Sequence, residues 1–164
     1  MIRRLLAVAV AAAVVVFTGA AACEPGASVL DGGASLEESN MLSLVNQKRA
    51  AVNCPAVARD PNLTVAAYRH ATDMRDNNQR QHTGTDGSTP QSRIAEAGFK
   101  PASATGEIMY WSDGASDYKA AVAWWMQSPP HKAIIENCAF THVGFGVFYP
   151  GGTKYYAVGD FGAH

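Results

Sequence analysis

The first 23 residues constrain this chain more than any other feature. Arg3 and Arg4 make a positive start, Leu5 to Phe17 is an unbroken apolar run of 13 residues, and the small residues Gly19-Ala20-Ala21-Ala22 lead into Cys23. This is the layout of a secretory signal, and the run is too short to span a bilayer as a retained helix. Residues 1–22 are therefore expected to be removed. The fold is expected to form outside the cytoplasm, in the cell envelope or the medium, from the 142 residues that remain. A chain of that length makes one ordinary domain and buries about two-thirds of its unfolded surface.

Export into an oxidising compartment decides how the cysteines are read. There are three, Cys23, Cys54 and Cys138. Cys23 follows the small residues directly, where a bacterial lipoprotein carries its diacylglyceryl anchor. Cleavage at the Ala-x-Ala pattern would instead leave it as a free thiol near the chain end. Lipidation of Cys23 leaves Cys54 and Cys138 as an even pair, and pairing is then expected.

Composition removes several classes. With 48% apolar and 16% charged residues the chain is neither disordered nor collagen-like. Its formal net charge of -1 becomes more negative once Arg3 and Arg4 are lost, so nothing favours nucleic acid or an anionic membrane as partner. Membrane association is expected only through a lipid on Cys23, and no protein partner is indicated.

Residues 23–34 read as a flexible tether rich in Gly and Pro. The domain is expected over 35–164. Ser35-Leu36-Glu37-Glu38 forms a capping box that starts a helix running to about Val52. Asp60-Pro61 starts a second, to about Arg80, and Thr89-Pro90 a third that Gly98 ends. A fourth is expected near Ser116 to Gln127. Strands are expected at Thr105–Trp111, Val143–Tyr149 and Tyr155–Phe161, the last two flanking the turn Pro150-Gly151-Gly152-Thr153.

No His-Glu-x-x-His helix, Gly-x-Ser-x-Gly elbow or phosphate-binding glycine loop is present. Interest falls on isolated polar residues. His70 lies on an apolar helix face and reads as packed. His82 opens the turn-rich loop His82-Thr83-Gly84-Thr85-Asp86-Gly87-Ser88. His131 follows Ser128-Pro129-Pro130, expected outside regular structure. Glu107 is an acid in an otherwise neutral strand, where it must face solvent, pair or bind something.

Taken in order, these segments resemble the CAP superfamily, also called the SCP or cysteine-rich secretory protein family, in its short secreted actinobacterial form. The matching stretches include Leu44-Val45-Asn46-Gln47-Lys48-Arg49, Cys54-Pro55, Leu63 through Met74 and His82 through Ser88. Arg93, Ala97-Gly98-Phe99, Gly106-Glu107, Trp125 through His131, Phe140 through Gly146 and Tyr156 through Gly162 continue the match. The resemblance implies an α+β fold, a three-layer alpha-beta-alpha sandwich around a mainly antiparallel sheet. It also implies a Cys54–Cys138 bridge and an open cleft lined by two histidines and two acids. His82, Glu107 and His131 match three of those positions, while Gln127 and Ser128 stand where the fourth, an acid, would fall. Ile108 and Pro130 also depart from the usual asparagine and glycine.

The sequence is accordingly read as an exported, envelope-associated binding module without catalytic residues. Its expected ligand is small and lipid-like, and its cleft is expected to hold a divalent metal such as zinc weakly. The competing reading is a metal-assisted hydrolase or protease using His82, Glu107 and His131. Ser128, the one nearby hydroxyl, reads as a helix terminator.

Overall fold

The computed structural model describes residues 35–100, 102–148 and 153–164. The signal segment, the tether, Cys23 and most of the Pro150–Thr153 turn lie outside these residues. Helix starts follow the cap chemistry. The Ser35 hydroxyl accepts from the Glu38 amide and Glu38 accepts from the Ser35 amide, opening α1 (Leu36–Ala50). Asp60 accepts from the amides of Asn62 and Leu63 and opens α2 (Pro61–Asn77). Thr89 caps α3 (Pro90–Glu96), and Gly98 follows it at φ 101°. α2 stops short of Arg80 because Asn78 takes the left-handed conformation, φ 48°, that ends helices.

Contrary to expectation, His131 is not outside regular structure. α4 (Tyr118–Gln127) ends at Ser128, and α5 (Pro129–Ile135) begins one residue later, with His131 in its first turn. Two prolines fit there because the first helical amides have no partner within the helix to lose.

β2 (Ala104–Ser112), β3 (His142–Phe148) and β4 (Tyr155–Ala163) match the expected strands. The two-residue β1 (Ala58–Arg59) was not foreseen. It forms because the Asn46 amide brackets Val57, donating to its carbonyl and accepting from its amide at 3.0 and 2.9 Å. The sheet order is β1-β3-β4-β2, antiparallel except for the β1–β3 pair. β2 is thus an edge strand.

Strand alternation sorts the side chains into two faces. Ile108, Phe145, Ala157 and Phe161 pack with Met41 and Val45 of α1, Val122 and Trp125 of α4, and Ile135 of α5. Met109, Tyr156 and Val158 pack on the other face against Ala67, Ala71 and Met74 of α2. α3 joins that side through Ile94, beside Leu63 and Ala66. The result is the expected alpha-beta-alpha sandwich. Trp125, fully buried, also donates its indole N–H to the Met109 carbonyl at 2.8 Å and so satisfies the outer edge of β2.

Two contacts set the spacing of these layers. α2 lies on β3 so closely that a Cβ at Gly144 would overlap the Thr64 backbone, and one at Gly146 that of Tyr68. On the other side Arg49, buried in α1, donates to the carbonyls of Pro55, Ile135, Asn137 and Phe140 at 2.8–2.9 Å. It gathers the same two loops that the Cys54–Cys138 disulfide joins, with Cα atoms 4.8 Å apart and 84 residues between them. Closing a loop of that size stabilises a fold by about 4.5 kcal/mol on chain entropy, with 2–4 kcal/mol typical.

Because the α2–β3 contact is backbone against backbone, no rotamer change relieves an added methyl group. Gly146→Ala should cost at least about 3 kcal/mol in urea unfolding, at the upper end of overpacking penalties. A loss below about 1 kcal/mol would mean that α2 can lift off the sheet cheaply.

Candidate binding cleft

The site begins with a charge that burial alone would disfavour. Glu107 sits mid-way along β2, with a side chain 1% exposed. Strand alternation turns it to the α2 face, opposite Asp160 of β4. Each of its oxygens is taken. Arg93 of α3, also 1% exposed, donates to Oε2 at 2.6 Å, and the His82 Nδ1–H donates to Oε1 at 2.7 Å. Burial raises the Glu107 pKa, but the His82 hydrogen bond and the charges of His70 and Arg93 outweigh it, so the group lies below its ordinary value.

Arg93 does more than neutralise. Its guanidinium also donates to the carbonyls of His82 and Ser88 at 2.9 and 3.0 Å, so one side chain fixes both ends of the 82–88 loop and the carboxylate beneath it. The loop is held from α2 as well. Asp73 accepts from the Thr85 amide at 2.9 Å, and Gly87 adopts φ 80°, which a residue with a side chain would resist. His82 is thereby held with its side chain 50% exposed. Since its Nδ1 carries the proton given to Glu107, its Nε2 lone pair is left for a ligand.

His70 packs beneath, as the apolar helix face implied. It is fully buried, and its Nε2–H donates to the Gln81 carbonyl at 2.9 Å, with Glu107 Oε1 3.9 Å away. Burial lowers its pKa, and the Glu107 charge only partly opposes this.

His131 reaches the same region from α5. Its Nδ1 is 2.8 Å from Ser128 Oγ. Ser128 therefore spends its hydroxyl on the imidazole and makes no side-chain cap, a role that its place before two prolines hid. Burial and then the nearby His82 lower the His131 pKa. Its ring lies 5.0 Å from that of Trp124, which is 41% exposed. Trp124 in turn is 6.3 Å from Trp111 of β2 and 5.9 Å from Tyr110. The imidazoles thus open beside an aromatic wall at the β2 edge.

His82, Glu107 and His131 do converge, but Glu107 stands behind His82 with both oxygens committed. Among the described residues no three His, Cys, Asp or Glu side chains are arranged to hold a metal ion. The donor set suits an ion only as two imidazoles, with Glu107 orienting one of them. No acid stands where the sequence lacked one near Gln127 and Ser128. A second carboxyl comes from β4 instead, as Asp160, fully buried beside Glu107. Spacing along the chain does not reveal it, because only the β2–β4 register sets the two opposite each other.

The chain belongs to the cysteine-rich secretory protein family, the CAP superfamily, whose profile matches residues 42–161. Among solved structures it is similar to an extracellular SCP-domain protein of Bacillus anthracis, with a TM-score of 0.70 and 26% identity, over 78% of this chain and 40% of that one. It also resembles an outer surface protein of Borrelia burgdorferi, with a TM-score of 0.70 and 23% identity, over 78% and 92% of the two chains. The uncharacterized membrane protein YlbC of Bacillus subtilis is 29% identical over 111 residues. That match takes in 67% of this chain, but the chain spans only 31% of that relative's length.

Removing Arg93 alone should leave Glu107 buried and uncompensated. Arg93→Met should lower stability by about 3–5 kcal/mol in urea unfolding, and adding Glu107→Leu should recover a large part of it. If the single variant loses under about 1 kcal/mol, the pair does not organise this loop.

Proposed function

We propose that the protein is an exported, envelope-associated binding module that takes a small lipid-like ligand at the cleft between His82, His131 and Trp124. The carrying observation is the exposed Trp124 ring, tilted with its centroid 5.0 Å from that of His131 and continued by Trp111, an apolar wall beside two imidazoles. Such a surface matches an acyl chain with a polar head that hydrogen-bonds the rings. Export is supported by the secretory layout of the first residues and by the disulfide. Similarity to an extracellular protein of Bacillus anthracis and a membrane protein of Bacillus subtilis supports it further. Glu107, committed to His82 and Arg93, acts as an orienting group in this reading and not as a base.

The hydrolase reading draws on one specific contact, the 2.8 Å Ser128–His131 hydrogen bond. It would make Ser128 a nucleophile activated by His131. His131 has a second imidazole, His82, as its titratable neighbour where a triad places an orienting acid, which favours binding over catalysis.

Titration with a fluorescent fatty acid separates the readings. Trp124→Ala should weaken binding about tenfold, roughly 1.4 kcal/mol, while Ser128→Ala leaves it unchanged. Equal binding by wild type and Trp124→Ala would remove the lipid reading. Hydrolysis of ester or peptide substrates that is lost in both Ser128→Ala and His131→Ala would replace it.

Zinc should bind weakly through the two imidazoles. Calorimetry should show the affinity falling as pH drops from about 7.5 to 5.5, since neutral histidine is the ligand and titrates near 6.5 when unperturbed. The burial-lowered pKa of His131 keeps that ring available further into this range than an exposed one. His82→Ala/His131→Ala should abolish the heat, and titrations indistinguishable from wild type would remove the ion from the proposal.

A further inference from the structure

Asp160 is completely buried at the centre of β4, and among the described residues neither of its carboxyl oxygens has a conventional hydrogen-bond partner. Its cross-strand neighbours are Glu107 of β2 and Gly144 of β3. Gly144 offers no side chain, because α2 lies directly on it. The groups that act on Asp160 are Glu107, whose carboxyl lies against it, and Arg93, whose guanidinium already serves Glu107 and the two loop carbonyls.

Two carboxylates set side by side in a dry interior cannot both stay ionised without a cation between them. The hydrogen-bond donors and the one permanent cation are all on one side. Glu107 faces Arg93, His82 and His70, and Asp160 has only the more remote influence of Arg93.

We propose that Asp160 is the second acid of this site, present as a neutral carboxylic acid whose proton is shared with Glu107, and that it positions Glu107 for its contact with His82. The pair then carries one negative charge, located on Glu107. Burial followed by the Glu107 charge pushes the Asp160 pKa well up, while the Glu107 pKa lies below its ordinary value, so the two environments drive the acids apart. One extra hydrogen bond on a carboxylate makes it a weaker acceptor toward its other partners. Asp160 thereby moderates how strongly Glu107 holds the proton on His82. This role follows from strand register and burial, whichever ligand the cleft takes.

Asp160→Asn and Asp160→Leu test this. Asparagine is neutral, nearly isosteric and can donate an N–H to Glu107, whereas leucine cannot. The sign of the stability difference follows from linkage. An acid that holds its proton more tightly when folded makes folding less favourable as pH rises from its unfolded value, about 3.9, toward its folded one. Asparagine carries no such proton. The melting temperature of Asp160→Asn relative to wild type should therefore rise between about pH 4 and pH 7.

Histidine NMR gives the positioning readout. The resonance of the His82 Nδ1–H, which reports its hydrogen bond to Glu107, should be unchanged in Asp160→Asn and should move downfield in Asp160→Leu as Glu107 loses a donor and accepts more strongly from His82. The carboxyl carbon of Asp160 should keep its protonated shift at pH 7 in the wild-type protein, a measurement that needs no variant to fold. A carboxylate shift there, or a relative melting temperature that falls with pH, would show an ionised Asp160 and overturn the proposal, and a His82 Nδ1–H resonance unmoved in Asp160→Leu would overturn its positioning role.

Discussion

The buried pair of Arg93 and Glu107 is the interaction on which the cleft depends. Placing a carboxylate in the interior of a sheet costs several kcal/mol unless a partner of good geometry answers it. Arg93 does so at 2.6 Å, and its remaining donors reach the carbonyls of His82 and Ser88. One guanidinium therefore connects α3, the 82–88 loop and β2. The loop has no apolar core of its own, and its shape is borrowed from this charge and from Asp73 of α2. His82 is presented outward because its backbone is held by Arg93 and its ring by Glu107.

The edge position of β2 explains why the site lies where it does. A central strand would have both ladders filled, leaving no room for side chains to meet beside it. At the edge, Trp125 satisfies one carbonyl of β2, and the helices of that layer bring His131 and Trp124 to the same border. The α2 side contributes His82 through the loop. Two layers of the sandwich thus supply one imidazole each, and the edge strand between them supplies the acid and Trp111.

The exposed cleft side chains are largely separate from the frame that holds the layers. The disulfide, Arg49 and the Gly144/Gly146 contact hold the layers together. The cleft residues His82 and Trp124 are exposed and contribute little packing. A division of this kind lets the exposed side chains change ligand preference without loosening the frame.

Much of this was legible in the sequence because it rests on local chemistry. Ser35, Asp60 and Thr89 cap helices through their nearest amides, Gly98 turns the chain through a positive φ, and three strands alternate as their patterns require. The order of His82, Glu107 and His131 among segments that resemble the CAP family pointed to one site. What remained hidden depends on partners distant in the chain. Asp160 resembles any strand residue until register sets it opposite Glu107, and Ser128 resembles a helix stop until α5 brings the His131 ring to its hydroxyl. β1 exists only because Asn46 brackets Val57. Sequence alone determined the helix caps of α1, α2 and α3 and the three long strands, since backbone propensities act locally, while the family resemblance implied the disulfide pair and the site histidines. Tertiary structure decided which charges are buried and which hydroxyls and carboxyls meet, because desolvation and cross-strand register are properties of the packed chain.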